Sequence, residues 1–299
     1  MATTTYNIAK AVSLVKYEKP FQFAADGLDW GYGSLVSEAK SDTKTKQVFP
    51  VAGLPVPTLT KELQDFYFAD MAELGAVTIT IYKYTLSFKL SWEAKHYGEK
   101  TLGDIMADRG KEMGSNHKYL KGLIIATDWN NIATNTVYDD VAVAGSHTTR
   151  AGNTVNTALT ASAFDFDSAW DSYNFFRTSL YNHSGLRVQS KPFAMVGSPS
   201  LRKDFEKVFE SIAEPDTLAN KNTMANKGIR FIENPHATSS TRYTFVSDGI
   251  KNDYRVYVVQ APTTDTDEDK THHAICLLSW QALGSGWVDF FHIVSNAGV

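Results

Sequence analysis

The fold is decided by the stretch from Tyr138 to Arg202, which reads YDDVAVAGSHTTRAGNTVNTALTASAFDFDSAWDSYNFFRTSLYNHSGLRVQSKPFAMVGSPSLR. It begins with a loop of small and polar residues, which leads into a helix with an aromatic stripe. A glycine then stops the helix, and a buried strand follows that closes on Gly-Ser-Pro-Ser at positions 197–200. This order of loop, helix, glycine stop and buried strand is the most informative pattern in the chain.

The same order resembles the middle of the major capsid proteins of tailed phages, in particular those akin to the Mu-type major head subunit. Four short segments carry the resemblance: Gly145-Ser146-His147, Gly152-Asn153 with Asn156, Ser184-Gly185-Leu186-Arg187-Val188, and Pro199-Ser200-Leu201. The similarity in element order extends over about residues 77–299. It implies an α+β chain with the HK97-like capsid fold.

The resemblance also implies a division of the chain into parts. These are an N-terminal arm at 1–50, an extended β-hairpin (the E-loop) at 51–91, a peripheral domain with a long spine helix at 92–164, an axial domain at 165–260, and strands that return to the peripheral domain at 261–299.

A protein of this kind builds a shell and performs no catalysis. The resemblance implies assembly with copies of itself into hexamers and pentamers, through heterologous contacts in which identical patches do not meet. The shell would enclose double-stranded DNA, contacted without sequence specificity, and scaffold, portal and decoration proteins would be further partners. The expected location is the virion, after assembly in the host cytoplasm and without any membrane.

Composition agrees with a folded structural protein. The 299 residues are 43% hydrophobic and 21% charged, which is enough for a real hydrophobic core. A net charge of -4 argues against a dedicated DNA-binding protein, although not against a shell that encloses DNA. The single cysteine, Cys276, excludes an internal disulfide and is expected to be a small buried hydrophobe. No signal peptide and no run of about 18 apolar residues is present.

Residues 1–50 are expected to form an irregular, extended arm. Four aromatic residues in it need a surface on which to pack: Phe21, Phe23, Trp30 and Tyr32. That surface is either a neighbouring subunit or the chain's own domain. On the first alternative, we predict that a chain without its first 40 residues folds but fails to assemble.

A long strand followed by a long helix is predicted between Val77 and Asn131. Apolar residues alternate with polar ones from Tyr84 to Leu90, whereas Val77, Ile79 and Ile81 have the opposite parity, so the phase slips near Tyr82. The helix is predicted from about Gly98 to Asn131, and its apolar stripe consists of Leu102, Ile105, Met106, Met113, Leu120, Leu123 and Ile124. Its glycines predict a bend or break near 110–114.

The rest of the chain is predicted to consist of alternating elements. A long loop is expected from Asn130 to Thr160, and a helix from Asp165 to Asn182, capped by Asp165 or Asp167 and ended by Gly185. Its predicted face is Phe166, Trp170, Tyr173 and Leu180, with Phe176 near it. The remaining predicted elements are a strand at Pro192–Val196, a helix at Ser200–Ile212, strands at Gly228–Ile232, Arg242–Val246 and Tyr254–Gln260, an acidic turn at Asp265–Lys270, and two strands around Gly284–Gly286. The apolar stripe of the helix at Ser200–Ile212 is expected to lie in the core and consists of Leu201, Phe205, Val208, Phe209 and Ile212.

No residue pattern in the chain predicts catalysis, cofactor binding or metal binding. No phosphate-binding loop, dinucleotide fingerprint or nucleophile elbow occurs. The acidic turn lacks the glycine and the glutamate of a calcium loop, and His272 and His273 would point to opposite faces of a strand. His147 has no recognisable nucleophile or carboxylate partner, so we interpret it as a loop histidine with local hydrogen bonds.

Two other functions remain open on the sequence. An encapsulin-like nanocompartment has the same fold but encloses protein cargo, and a cargo-docking groove would favour it. A soluble α+β enzyme without a short motif is the second alternative, and a monomeric state with ligand-dependent melting would favour that one.

Overall fold

The computed structural model describes residues 20–22, 24–25, 31–50, 74–91, 99–211, 222–225, 227–269 and 274–299. Two β-sheets organise this part of the chain. A four-stranded sheet has the order β1-β11-β12-β4, and a five-stranded sheet has the order β7-β13-β10-β8-β9. Phe23, Trp30, Ile212, His272 and His273 lie outside the described residues.

The four-stranded sheet contains the longest strands. Its members are β1 (Ser37–Lys40), β4 (Tyr82–Leu90), β11 (Tyr254–Asp269) and β12 (Ala274–Trp287). The strands β11 and β12 form an antiparallel ladder from Tyr254–Trp287 to Asp269–Ala274, β4 pairs antiparallel with β12, and β1 pairs parallel with β11. The predicted acidic turn is therefore wrong. Asp265 and Asp267 alternate toward solvent within β11, while Thr266 between them is buried.

A single helix, α1 (Glu99–Asn130), packs against one face of this sheet. The predicted boundaries are correct to within a residue, but no break occurs at 110–114. The buried side of α1 carries Met106, Met113, His117, Ile125 and Trp129, whereas Leu123 is exposed and Leu120 and Ile124 are half-buried. The buried face of α1 is therefore rotated about the helix axis relative to the predicted apolar stripe, because polar and glycine positions contribute to it.

Glycine at position 114 serves close packing. A Cβ there would collide with the carbonyl oxygen of Phe21 and press against Ala24. The absence of a side chain lets the N-terminal segment lie directly on α1, which offsets the usual cost of glycine in a helix. Phe21 and Met113 then share one small core with Met106 and Leu277.

The N-terminal region packs partly on its own chain, and its described part contains regular elements, so it is not irregular there, whereas the division of the chain that places an arm at 1–50 stays a prediction. Tyr32 and Leu35 are fully buried in the main core, and Phe21 is buried beside α1. After a short 3-10 helix at Tyr32–Ser34, the chain enters the four-stranded sheet as β1. Of the two alternatives for the aromatic residues, packing on the chain's own domain holds for Phe21 and Tyr32.

The other face of the sheet is covered by a two-stranded ribbon. It consists of β2 (Thr45–Val48) and β3 (Val77–Thr80), paired antiparallel. The alternation of apolar and polar residues was predicted to change phase near Tyr82. In the structure this change occurs at Ile81, between β3 and β4, where the chain passes from the ribbon into the four-stranded sheet. Glycines 284 and 286 lie inside β12, where a Cβ would meet the backbone of Thr80 or the side chain of Ile79. These glycines permit close approach of the ribbon. Because β12 runs through both of them without interruption, the prediction of two separate strands around Gly284–Gly286 is wrong.

The five-stranded sheet lies in the second half of the chain. Its strands are β7 (Ala158–Leu159), β8 (Pro192–Gly197), β9 (Arg230–Glu233), β10 (Tyr243–Ser247) and β13 (Ile293–Asn296). Helices α2 (Phe166–Thr178) and α3 (Arg202–Phe209) pack with it, and Phe205, Val208 and Phe209 of α3 are buried as predicted.

Helix α2 begins as predicted but ends early. The Asp165 side chain accepts a hydrogen bond from the Ser168 backbone at 2.8 Å, and Ser168 Oγ accepts one from the Asp165 backbone at 2.9 Å. This reciprocal cap fixes the first turn. The helix ends at Thr178, before Gly185, and its most buried residues are Ser168, Ala169, Ser172, Phe175 and Phe176. Phe166, Trp170 and Tyr173 pack at the edge of the core.

The region predicted as a long loop, Asn130 to Thr160, contains ordered structure. It forms a small hairpin of β5 (Ser146–Thr148) and β6 (Thr154–Asn156), and its valines 143 and 155 are fully buried. Cys276 is half-buried in β12. Among the described residues, no helix has the length and apolar character that crossing a membrane requires.

Candidate functional site: the junction between the two sheets

The two sheets are joined by two chain crossings that run side by side. The first passes from β10 through the short helix α4 (Ile250–Asp253) into β11, and the second passes from β12 through residues 288–292 into β13. Asp253 holds them together. Its backbone oxygen accepts a hydrogen bond from the Val288 N–H at 2.6 Å, and its carboxylate accepts from the His292 N–H at 2.8 Å and from His292 Nδ1 at 2.9 Å.

Asp253 is buried and His292 is half-buried, and each of the two groups shifts the pKa of the other. Burial raises the pKa of the Asp253 carboxyl, and the hydrogen bond from His292 opposes that rise. Burial by itself lowers the pKa of His292, but the hydrogen bond and negative charge of Asp253 outweigh it, so the pKa of His292 lies above its usual value. The pair therefore retains its protons more strongly than the separate residues would.

Aromatic and histidine rings fill the space around this crossing. The His147 ring stacks on Phe290 with centroids 3.8 Å apart and an interplanar angle of 6°. His183 packs edge-on against Phe291, and its Nε2 lies 3.4 Å from Asp289 Oδ2. The sequence Asp-Phe-Phe-His at 289–292 is thus the contact point for two loops from elsewhere in the chain.

His147 is structural. The ring is fully buried, Nδ1 lies 2.9 Å from Asp139 Oδ2, and Nε2 lies 3.2 Å from the Val143 carbonyl oxygen. Both nitrogens are engaged within a dozen residues of chain, so the interpretation as a locally bonded histidine is confirmed. Sequence reasoning missed the carboxylate partner, Asp139, although a separation of eight residues across a turn was a usable signal.

A second anchor ties the end of α1 to the four-stranded sheet. Asp128 accepts hydrogen bonds from Tyr254 Oη at 2.9 Å and from Ser285 Oγ. Burial raises the pKa of the Asp128 carboxyl, and these two bonds oppose the rise. The Trp129 and Trp287 rings meet edge-to-face beside it, with centroids 4.9 Å apart. These contacts connect α1 to the same end of the sheet from which both crossings leave.

The contacts at the junction hold the two sheets together. The carboxylates and imidazoles of the junction are occupied with one another, and no group of three or more metal-ligating side chains occurs within the described ranges. None of the residues from 265 to 269 lies in a calcium loop, because they belong to β11. The arrangement can fix one sheet relative to the other.

The two edges of the four-stranded sheet have groups that can contact other molecules. The strand β4 forms one edge of the four-stranded sheet, and Tyr82 on it is 58% exposed. At the opposite edge, β1 covers β11 only from Arg255 to Val258. Within the described ranges, the following residues of β11 have no strand on that side, and unpaired edges invite pairing with another chain.

Solved structures of viral and virus-like shells have the same fold. The capsid of the cyanophage P-SCSP1u matches with a TM-score of 0.57 and 9% identity, over 88% of this chain and 86% of that one. The mature capsid of bacteriophage PhiM1 matches with a TM-score of 0.57 and 13% identity, over 92% and 88%. A virus-like particle from Pyrococcus furiosus matches with a TM-score of 0.54 and 11% identity, over 94% and 97%.

The fold is therefore that of the HK97-like shell subunits. The family model described as phage capsid protein matches residues 75–296, and the chain belongs to that family. No curated protein matches the chain significantly. The protein is a structural one, a major capsid subunit of a bacteriophage head that associates with copies of itself in an icosahedral shell. Similarity to the Mu-type head subunit in particular stays a prediction.

Proposed function

We propose that this protein tiles a closed shell around double-stranded DNA, with hexamers and pentamers of the one chain as its capsomers. The observation that carries the proposal is the family match over residues 75–296. The DNA is contacted without sequence specificity, and the net charge of -4 is compatible with a shell that encloses DNA, although it argues against a dedicated DNA-binding protein. Assembly takes place in the host cytoplasm, and scaffold, portal and decoration proteins are its other partners.

The protein acts as a building block without a catalytic step. The fully buried His147 supports this, because its two ring nitrogens face a carboxylate and a carbonyl oxygen of the same chain. We also propose that 92–164 with the returning strands 261–299 forms the peripheral domain, and that 165–260 forms the axial domain. An arm at 1–50 and an E-loop at 51–91 would reach neighbouring subunits.

The test is to express the chain alone and analyse it by sedimentation and electron microscopy. We expect closed particles with icosahedral symmetry, whose reconstruction shows hexamers and pentamers. Production together with the phage's packaging genes should give particles that contain nuclease-protected double-stranded DNA. A chain that remains monomeric with and without its scaffold protein would contradict the proposal.

A second candidate is a nanocompartment that holds protein. The fold also forms a particle that is described as virus-like and not as a phage head, that from Pyrococcus furiosus, and the likeness spans 94% of this chain and 97% of that one. The contents of native particles separate the two candidates. Protected DNA of uniform length supports the phage head, whereas a stoichiometric co-purifying protein and no DNA supports the compartment.

A further inference from the structure

A cleft of about 520 Å³ lies between α1 and the edge of β11, at the place where β1 ends. Its lining combines basic, amide and apolar side chains: Lys40, His117, Lys118, Lys121, Val259 and Gln281. The cleft belongs to neither the sheet junction nor the core of the protein. Its chemistry indicates what kind of group it accepts.

The buried imidazole of His117 presents an unused hydrogen-bond acceptor. Ser279 Oγ donates its hydrogen to the Leu86 carbonyl oxygen at 3.0 Å, so toward His117 it can only accept. His117 Nε2, 2.9 Å away, is therefore the protonated nitrogen, and Nδ1 carries a lone pair. Nδ1 has no partner among the described residues, although His117 is only 3% exposed. Burial lowers the pKa of His117, which agrees with a neutral ring.

The cleft has a surplus of positive charge. Lys121 pairs with Glu38, which neutralises both. Lys40 and Lys118 form no ion pair within the described part of the chain, and both line the cleft. An occupant that places carboxylates between these two ammonium groups would gain charge-assisted hydrogen bonds.

The backbone at the cleft is a sheet edge. The last pairing of β1 with β11 is Lys40 with Val258, and the Ser41 N–H still donates to the Val258 carbonyl oxygen at 3.2 Å. Between Val258 and Thr263 the ladder with β12 is irregular, and Val259 is 41% exposed. An extended peptide can therefore add to the edge of the sheet beyond Lys40. Its N–H groups can donate a hydrogen bond to an acceptor such as His117 Nδ1, which has no donor among the described residues.

The chain itself carries a segment with the required properties. Asp265 and Asp267 project from the edge strand β11 on the face opposite α1, because Asp265 pairs with Leu278 and Asp267 with Cys276. They lie about 20 Å along the strand from Val259, at about 3.3 Å per residue. A rigid ladder cannot fold back on itself over that distance. These carboxylates can therefore reach such a cleft only in another copy.

We propose that the cleft between α1 and β11 receives the acidic β11 edge, residues 263–269, of a second copy of this chain. The inference rests on the proposed function, which supplies the neighbouring copies, and it adds a specific contact between them. In the hexamers and pentamers of the proposed function such a contact would be heterologous and would repeat head to tail around the capsomer.

Charge reversal tests both sides of this contact. The variant K40E/K118E should assemble about tenfold less than the wild type, because like charges would then face each other across the interface. The matched control is K44E/K46E, which makes the same charge change at exposed positions near and in β2 and should assemble normally. The variant D265K/D267K should also fail, and the variant that carries all four changes should recover assembly. Melting curves of the unassembled chains verify that each variant is folded.

The results separate this inference from the proposed function. Particles of wild-type protein establish the shell, whatever the variants do. If K40E/K118E then assembles as well as K44E/K46E, the cleft is no interface between copies and the inference is overturned. If K40E/K118E gives a normal particle yield but the particles lose their bound DNA, the cleft binds nucleic acid, and the inference is overturned as well. Failure of the fourfold variant to recover, with all variants folded, would exclude the acidic edge as the occupant.

Discussion

The carboxylate of Asp253 accepts two hydrogen bonds from His292, one from the backbone N–H at 2.8 Å and one from Nδ1 at 2.9 Å. These two residues stand in different chain crossings, and each crossing connects the same pair of sheets. This pair thus links the two crossings, together with the backbone bond from Val288 to Asp253.

The first prediction concerns the loss of this carboxylate. Asp253→Ala should lower the free energy of unfolding by about 2–4 kcal/mol, because it leaves the His292 backbone N–H and the half-buried His292 imidazole without their partner. Chemical denaturation of the unassembled chain measures the change. Asp42→Ala, at an exposed position, serves as the control and should leave the stability unchanged within about 0.5 kcal/mol. Equal stabilities of the two variants would show that Asp253 does not hold the crossings together.

The second prediction concerns pH. The pKa of His292 lies above its usual value, so the folded state holds this proton more tightly than the unfolded state does. Its stabilisation is fully present below about pH 6.5 and is lost as the pH rises through the folded-state pKa. The raised pKa of Asp253 acts in the same direction, because its charged form is the costly one.

The difference in stability between wild type and His292→Gln should therefore be largest at about pH 6 and should shrink toward about pH 9. Subtraction of the two curves removes the opposite contribution of His117, whose pKa is lowered by burial. The charged neighbours Asp289 and Asp248 are present in both proteins. A difference that stays constant across this range would contradict the assignment.

The third prediction concerns Gly249, which has a φ of 99° and lies against the His292 ring. Gly249→Ala should cost more than about 2 kcal/mol, since the backbone conformation is strained for alanine and the new Cβ displaces the ring. Gly31 is the matched control. It also has a positive φ, of 76°, but beyond its chain neighbours no atom of the described residues lies within 4 Å of the position that a methyl group would take, so Gly31→Ala should cost only the strain of about 1 kcal/mol. Similar losses of stability for the two variants would mean that the His292 ring moves aside without a measurable cost.

The fourth prediction concerns the contact between α1 and the N-terminal segment. Gly114→Ala should destabilise the protein even though alanine favours a helix by about 1 kcal/mol over glycine. The reason is the collision of the new Cβ with the Phe21 carbonyl. Ser115→Ala, at an exposed position of the same helix, should be neutral or slightly stabilising. Thermal melting of the two variants distinguishes these outcomes, and a stabilised Gly114→Ala protein would refute the close contact.

The fifth prediction replaces an expectation drawn from the sequence. A chain without residues 1–40 should be strongly destabilised, because the deletion removes β1 and four buried side chains, Phe21, Tyr32, Leu35 and Val36. Each contributes roughly 1.5–3 kcal/mol through burial. Far-ultraviolet circular dichroism and denaturation measure the loss. A truncated chain as stable as the full one would restore the idea of an arm that only serves assembly.

Local patterns predicted the elements that depend on local chemistry. The cap of α2 by Asp165, the extent of α1 and the buried stripe of α3 follow from side-chain periods and from hydrogen bonds over three or four residues. The order of these elements was also sufficient for the family resemblance. His147 was interpreted correctly for the same reason, since its partners lie within eight residues.

Long-range packing decided the rest. The glycines at 114, 284 and 286 look like interruptions in the sequence, but each is a place where another segment approaches too closely for a side chain. The pairing of Asp253 with His292 joins residues 39 positions apart, and no local signal marks it. The amino-acid sequence by itself determined the elements and their order, because these depend on neighbours along the chain. Only the tertiary structure decided which edges stay open and which charges become buried, because those depend on contacts between segments that the sequence leaves far apart.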